Sequence, residues 1–291
     1  MEENNPHIGT AASAKPLRID LEAVLRQKLG QRMRYVPRCV VAWLRRTICE
    51  QELNEILQRY GDCEGADFAR GSLEYFGVEV SEEGLDAALA AAGPDARLLF
   101  VSNHPLGGLD GLALIDLLDR RLGSIRWIVN DLLMAVKPLR PVFLPVNKHG
   151  RQSRDEVSAI DAALAGDGPI GTFPAGLCSR NTHGRVIEDL EWKPSFVKNA
   201  VDYRRTVIPV HFDGANSRFF YRLARWRERL GLKFNIEMIY LPKEMVKQRG
   251  ARLHVTFGQP IPYDTFDASR SRRHWAAWVR EQVYNLNHHH D

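Results

Sequence analysis

The sequence predicts an α/β fold: a mostly parallel central sheet flanked by helices, preceded by an N-terminal helical segment. Three observations carry this. From residue 97 onward, short apolar runs alternate with stretches of helical periodicity, the order that builds a sheet with covering helices. The runs are short and nearly all apolar, such as Leu98-Leu99-Phe100-Val101 and Val207-Ile208-Pro209-Val210, which reads as buried strand. Polar residues then collect just after several of these runs, where a parallel sheet gathers its ligand-binding loops.

Taken in order, residues 1–15 are polar and expected to be a disordered tail, 16–76 an N-terminal helical segment, and 77–287 the α/β domain. Residues 18–60 have helical spacing, interrupted at Pro37, whose missing N–H suits it to open the second helix. A short helix over 67–77 leads to a strand at 78–80, and Ser81-Glu82-Glu83 is placed to cap a helix over 84–92. Further strands are predicted at 98–101, 125–129, 141–146, 169–173, 206–212, 233–241 and 253–261. Helices are predicted from Asp110 and over 153–165, 193–204, 218–233 and 271–285. The run His288-His289-His290 is set aside as either a tag remnant or a native tail.

Composition narrows the class. The 291 residues carry a formal charge of +4 and contain no apolar run of membrane-spanning length, and the start of the chain lacks the basic and apolar stretches of a signal peptide. Four cysteines without CxxC or metal-ligand spacing read as reduced thiols of a cytoplasmic protein, with no metal site expected. The charge is concentrated in two stretches, 28–46 and 218–233, where Arg alternates with Trp, Phe, Tyr and Leu. That mixture suits an anionic membrane surface, with amphipathic helices facing the core as the plainer reading; nucleic acid is not expected as a partner.

The chemistry centres on residues 97–116. His104 leaves the end of a strand, Gly107 and Gly108 allow a tight turn and close approach of a substrate, and Asp110 stands where a helix begins. A carboxylate on one imidazole nitrogen fixes the tautomer and leaves the other nitrogen free to take a proton from a hydroxyl. The competing reading makes Asp110 a helix cap and His104 an ordinary loop histidine. Four polar groups favour the chemical reading: Asn103/His104, Asn147/Lys148, Ser179/Arg180 and the turn 213–217 all follow predicted strands. One parallel sheet would gather them at a single edge, where Lys and Arg would meet an anionic group.

Asn103-His104 with Asp110, Phe173-Pro174-Ala175-Gly176 with Ser179-Arg180, and Val207-Ile208-Pro209-Val210 resemble, in order, the motifs of the glycerolipid acyltransferases. The resemblance covers about residues 95–262 and is closest to the hemolysin-like branch that makes bacterial amino-acid lipids, glycine and ornithine lipids among them. It implies O-acyl transfer, with His104 as general base, Asp110 as its partner, and no cofactor beyond the acyl donor itself. That donor would be an acyl carrier protein or coenzyme A thioester. The acceptor would be a lyso-lipid at the cytoplasmic face of the inner membrane. The matching motifs carry over Asn103, Gly107, Gly108, Asn147, Lys148, Phe173, Pro174, Gly176, Ser179 and Arg180 as substrate-binding positions.

Three departures bear on the acceptor. Five residues rather than four separate His104 from Asp110, Ala175 replaces a glutamate that serves glycerol-phosphate recognition, and Lys148 replaces an arginine. They favour an N-acylated amino acid with a hydroxyl on its fatty chain over lysophosphatidic acid. Its carboxylate would be met by Lys148 or Arg180. Two readings from other classes remain: a thiol hydrolase with Cys178 as nucleophile, and a non-catalytic membrane-binding protein.

Overall fold

The computed structural model describes residues 17–146, 154–181, 186–232 and 234–287. The expected tail 1–15, the residues Asn147 and Lys148, and the His288–His290 run lie outside the described residues. The first four helices are α1 (Leu21–Leu29), α2 (Arg38–Thr47), α3 (Glu50–Tyr60) and α4 (Ala66–Phe76). The order then runs β1 (Glu79–Glu83), α5 (Leu85–Ala92), β2 (Leu98–Ser102), α6 (Gly108–Leu122), β3 (Arg126–Asn130) and β4 (Phe143–Val146). After these come α7 (Arg154–Ala165), β5 (Ile170–Thr172), the short pair β6 (Arg180–Asn181) and β7 (Ile187–Glu188), α8 (Ser195–Asp202) and β8 (Thr206–Phe212). The chain finishes with α9 (Arg218–Arg229), α10 (Leu241–Lys247), β9 (Arg252–Phe257) and α11 (Arg272–Asn285).

Seven strands form one sheet in the order β1-β9-β8-β2-β5-β3-β4. Every neighbouring pair is parallel except β8 with β9, so β1 and β9 run against the other five. The period-2 alternation of a strand divides the core between the two faces of the sheet. Phe100, Ile208 and Val210 pack with α4, α5 and α6, while Leu99, Val101 and Val207 pack with α8 and α11. Pro37 is the N-cap of α2 with extended backbone, as its fixed φ predicts.

Two sequence expectations fail for physical reasons. Ser81-Glu82-Glu83 continues β1, which pairs with β9 through Glu83, and Gly84 caps α5 in the left-handed conformation open to glycine. The expected strand over 233–241 is instead a 3-10 turn at Ile236–Tyr240 running into α10. Its β-branched and aromatic residues read as strand, but Glu237 among them is fully buried and ion-paired with two arginines. Its partners come from β6 and α9, which the linear sequence does not bring beside it.

Candidate active site

β2 lies between β8 and β5, and its C-terminal end delivers His104. The neighbouring strands bring their own exits to the same edge. After β5, the Phe173 ring stacks on the His104 ring with centroids 4.0 Å apart and planes 22° apart. After β8, the turn 213–217 contributes Asn216, whose Nδ2 donates to Pro105 O at 3.1 Å. The Ser179 backbone N–H donates to His104 O at 2.8 Å. Three of the four polar groups singled out in the sequence therefore meet at one edge, and the fourth, Asn147/Lys148, falls outside the described residues.

Asp110 is the third residue of α6, with Gly107 as the N-cap. The helix begins two residues earlier than the sequence suggested, and this explains the five-residue spacing. Gly107, at φ +90°, turns the chain so that Asp110 faces back onto the preceding loop. Asp110 Oδ2 accepts the Leu106 and Gly107 N–H groups at 3.0 and 3.2 Å, and lies 3.1 Å from His104 Nδ1. Oδ1 accepts Gly111 N–H. One carboxylate thus caps the helix and holds the imidazole, and the two readings of Asp110 describe the same atom.

The electrostatics of the pair are set by burial. The Asp110 side chain is 0 % exposed and that of His104 16 %. Burial disfavours the imidazolium, but the Asp110 charge outweighs it and holds the His104 pKa above its ordinary value. Burial likewise opposes the Asp110 carboxylate, and His104 with the two backbone N–H groups keeps its pKa below the usual range. The charge of Asp110 is the larger part of its hold on the ring, with a side-chain hydrogen bond adding to it. Nδ1 is buried against Asp110, and part of the His104 side chain stays exposed.

Sequence reasoning missed a second carboxylate. Asp189 Oδ1 accepts the His104 backbone N–H at 3.2 Å and Ser179 Oγ–H at 2.6 Å, while Oδ2 accepts the Trp192 indole N–H. Its own backbone N–H donates to the Tyr284 hydroxyl of α11. Burial raises the Asp189 pKa. Nothing in the stretch EDLEWKP marks this residue, because its partners are distant in the chain; His104 alone is 85 residues away.

The remaining sequence-predicted positions divide between the frame and the opening of the site. Asn103 is 3 % exposed and clamps β8, donating to Phe212 O and accepting from Phe212 N–H. Ser179 is held by Asp189, and Pro174 O accepts Lys193 N–H. Gly176, at φ +67°, makes the turn in which its N–H reaches Phe173 O. Gly107 and Gly108 do permit a close approach, but the groups that approach are Leu241 and Met245 of α10, so this side of the loop is not open to a ligand. Arg180 is also withdrawn from ligand: its side chain is 4 % exposed and pairs with Glu237 Oε1 at 2.9 Å, with Arg227 on the other oxygen. Cys178 is fully buried beside Arg180, and desolvation pushes its thiol up to about 11, which leaves no thiolate for a hydrolase.

A family model described as Acyltransferase matches residues 23–291. The chain belongs to the acyltransferase family. Two curated relatives, both named lyso-glycine lipid O-acyltransferase, are similar over 92 % of its length. The one from Phocaeicola vulgatus is 43 % identical and covered over 95 % of its own chain; the one from Bacteroides thetaiotaomicron is 42 % identical and covered over 97 %. Among solved structures, the 1-acyl-sn-glycerophosphate (LPA) acyltransferase PlsC from Thermotoga maritima superposes with a TM-score of 0.46 at 16 % identity, covering 93 % of this chain and 97 % of its own. Among the described residues of this acyltransferase, no helix is long and apolar enough to cross a membrane.

Proposed function

We propose that this acyltransferase moves a fatty acyl group from a thioester to the hydroxyl of a lyso-glycine lipid or a similar N-acylated amino acid. The observation that carries the chemistry is the buried Asp110 against Nδ1 of a half-buried His104 at the C-terminal edge of the sheet. The two relatives named for lyso-glycine lipid support the acceptor. His104 Nε2 takes the proton of the acceptor hydroxyl as its oxygen attacks the thioester carbonyl. The C–O bond forms, the C–S bond breaks, and the departing sulfur leaves as a thiol with the proton returned from His104. No acyl-enzyme is required.

The donor is an acyl carrier protein or coenzyme A thioester, and the enzyme works peripherally at the cytoplasmic face of the inner membrane. Support for membrane contact comes from α9. Phe219, Trp226 and Leu230 are 42, 67 and 70 % exposed and follow one another at helical spacing, with Leu232 and Phe234 exposed just beyond. Tyr240 packs edge-on against both Phe219 and Trp43 of α2, so the two basic-aromatic stretches of the sequence form one surface. Apolar groups rimmed by arginine suit an anionic interface.

The test is transfer of labelled acyl groups by the purified protein to lyso-glycine lipid and to lysophosphatidic acid, in mixed micelles, from each donor. O-acylated glycine lipid is the expected main product. Labelled phosphatidic acid in its place would overturn the acceptor, and free fatty acid alone would overturn acyl transfer.

A further inference from the structure

The acyltransferase reading requires something to meet the acceptor's carboxylate, and Arg180 is already neutralised in the interior by Glu237. A second group of arginines stands beside the same loop. Arg218, Arg222, Arg225 and Arg229 recur at i, i+4, i+7 and i+11 along α9, one residue out of step with the apolar row Phe219, Leu223, Trp226 and Leu230. The helix therefore has three faces: Phe220, Tyr221 and Ala224 enter the core, Phe219, Trp226 and Leu230 of the apolar row are exposed, and an arginine row lies between. Arg218, Arg222 and Arg225 line a cavity of about 580 Å³, with Asn181, Asn216 and Tyr221 among its other walls.

The asparagines tie the cavity to the His104 loop. Asn216 is 6 % exposed, and its Nδ2 is engaged by Pro105 O, which fixes the orientation of the amide. Its Oδ1, like that of Asn181, is buried and has no hydrogen-bond partner among the described residues. Three guanidinium groups lining one cavity call for an anionic ligand. Both asparagine walls adjoin the His104 loop, Asn216 through Pro105 and Asn181 two residues after Ser179, whose N–H holds His104 O.

We propose that this cavity binds the head group of the acceptor, with Arg218, Arg222 and Arg225 holding its carboxylate. An N-acylated glycine ends in a carboxylate one methylene beyond its amide, a compact anion for a cavity lined by three arginines. This inference rests on the proposed function, since it identifies where that function's acceptor is read.

The experiment compares the wild-type protein with an Arg222→Gln/Arg225→Gln double variant, using lyso-glycine lipid and its methyl ester as acceptors and one labelled acyl thioester as donor. Loss of charge-assisted bonds to a carboxylate predicts an acceptor KM raised about ten- to a hundredfold. The kcat and the donor KM stay within a few-fold. The wild type prefers the free acid to the methyl ester by a similar factor, a measurement that needs no variant, and the double variant loses that preference. An unchanged acceptor KM, a wild-type enzyme indifferent to the methyl ester, or a rise in donor KM alone would overturn the inference while leaving the acyl-transfer reading in place. A wild-type enzyme inert toward lyso-glycine lipid would overturn both.

Discussion

The two ends of the central sheet handle buried charge in opposite ways. At the N-terminal end, Arg205 precedes β8 and is 0 % exposed. Its guanidinium donates to five backbone carbonyls, those of Leu98, Ala163, Leu164, Gly166 and Gly168, all within 2.9 Å. Two of these acceptors lie in the last turn of α7, where unsatisfied carbonyls favour a cation. Burial lowers the Arg205 pKa to about 10. At the C-terminal end, Asp110 and Asp189 are buried too, but they hold the backbone and ring of His104 while part of that ring stays exposed. One end closes a buried cation on backbone carbonyls. The other uses closed polar groups to aim an open one.

That difference predicts separable effects. The largest concerns activity. His104→Ala is expected to lower turnover by about 10²–10⁴-fold, the usual loss for a general base, in a protein that still folds. Turnover within a few-fold of wild type would remove His104 from the chemistry and make the two ends equivalent. The next concerns stability. Arg205→Met keeps much of the volume but strands five buried carbonyls, each costing about 1–3 kcal/mol when unpaired and unrelaxed. Water reaching some of them brings the expected loss to about 3–5 kcal/mol in denaturant titration, while the specific activity of the folded fraction stays within a few-fold. A stability near wild type would mean that the guanidinium is replaceable.

The same contrast explains what was legible in the sequence. Leu98–Val101 read as strand because its residues serve both faces of a covered sheet, and His104 stood out because a strand exit next to glycines and a carboxylate is a local pattern. Asp110 was found but placed at the wrong end of its helical turn, since Gly107 and Gly108 start the helix earlier than apolar spacing suggests. Asp189 and Arg205 carried no signal, because the meaning of each lies in backbone groups far away in the chain. Glu237 misled directly. A charged residue inside an apolar run looks like the outward face of a strand, and here it is the shared partner of Arg180 and Arg227. The glycines were recognised as sites of close approach, but nothing local identifies α10 as the neighbour.

The most direct test is the pH dependence of kcat/KM for the wild type beside Asp110→Asn. The proposed mechanism needs His104 neutral, so it predicts activity rising with pH through the pKa of the free enzyme. Asp110 favours the imidazolium, so the wild-type midpoint should lie above the ordinary histidine value of about 6.5. Asparagine removes the charge, so the midpoint should move down, and the plateau should fall by about 10²–10⁴-fold as the ring loses its orientation. An Asp110→Asn enzyme with the wild-type plateau and midpoint would contradict the account, leaving Asp110 as a helix cap and His104 without its partner.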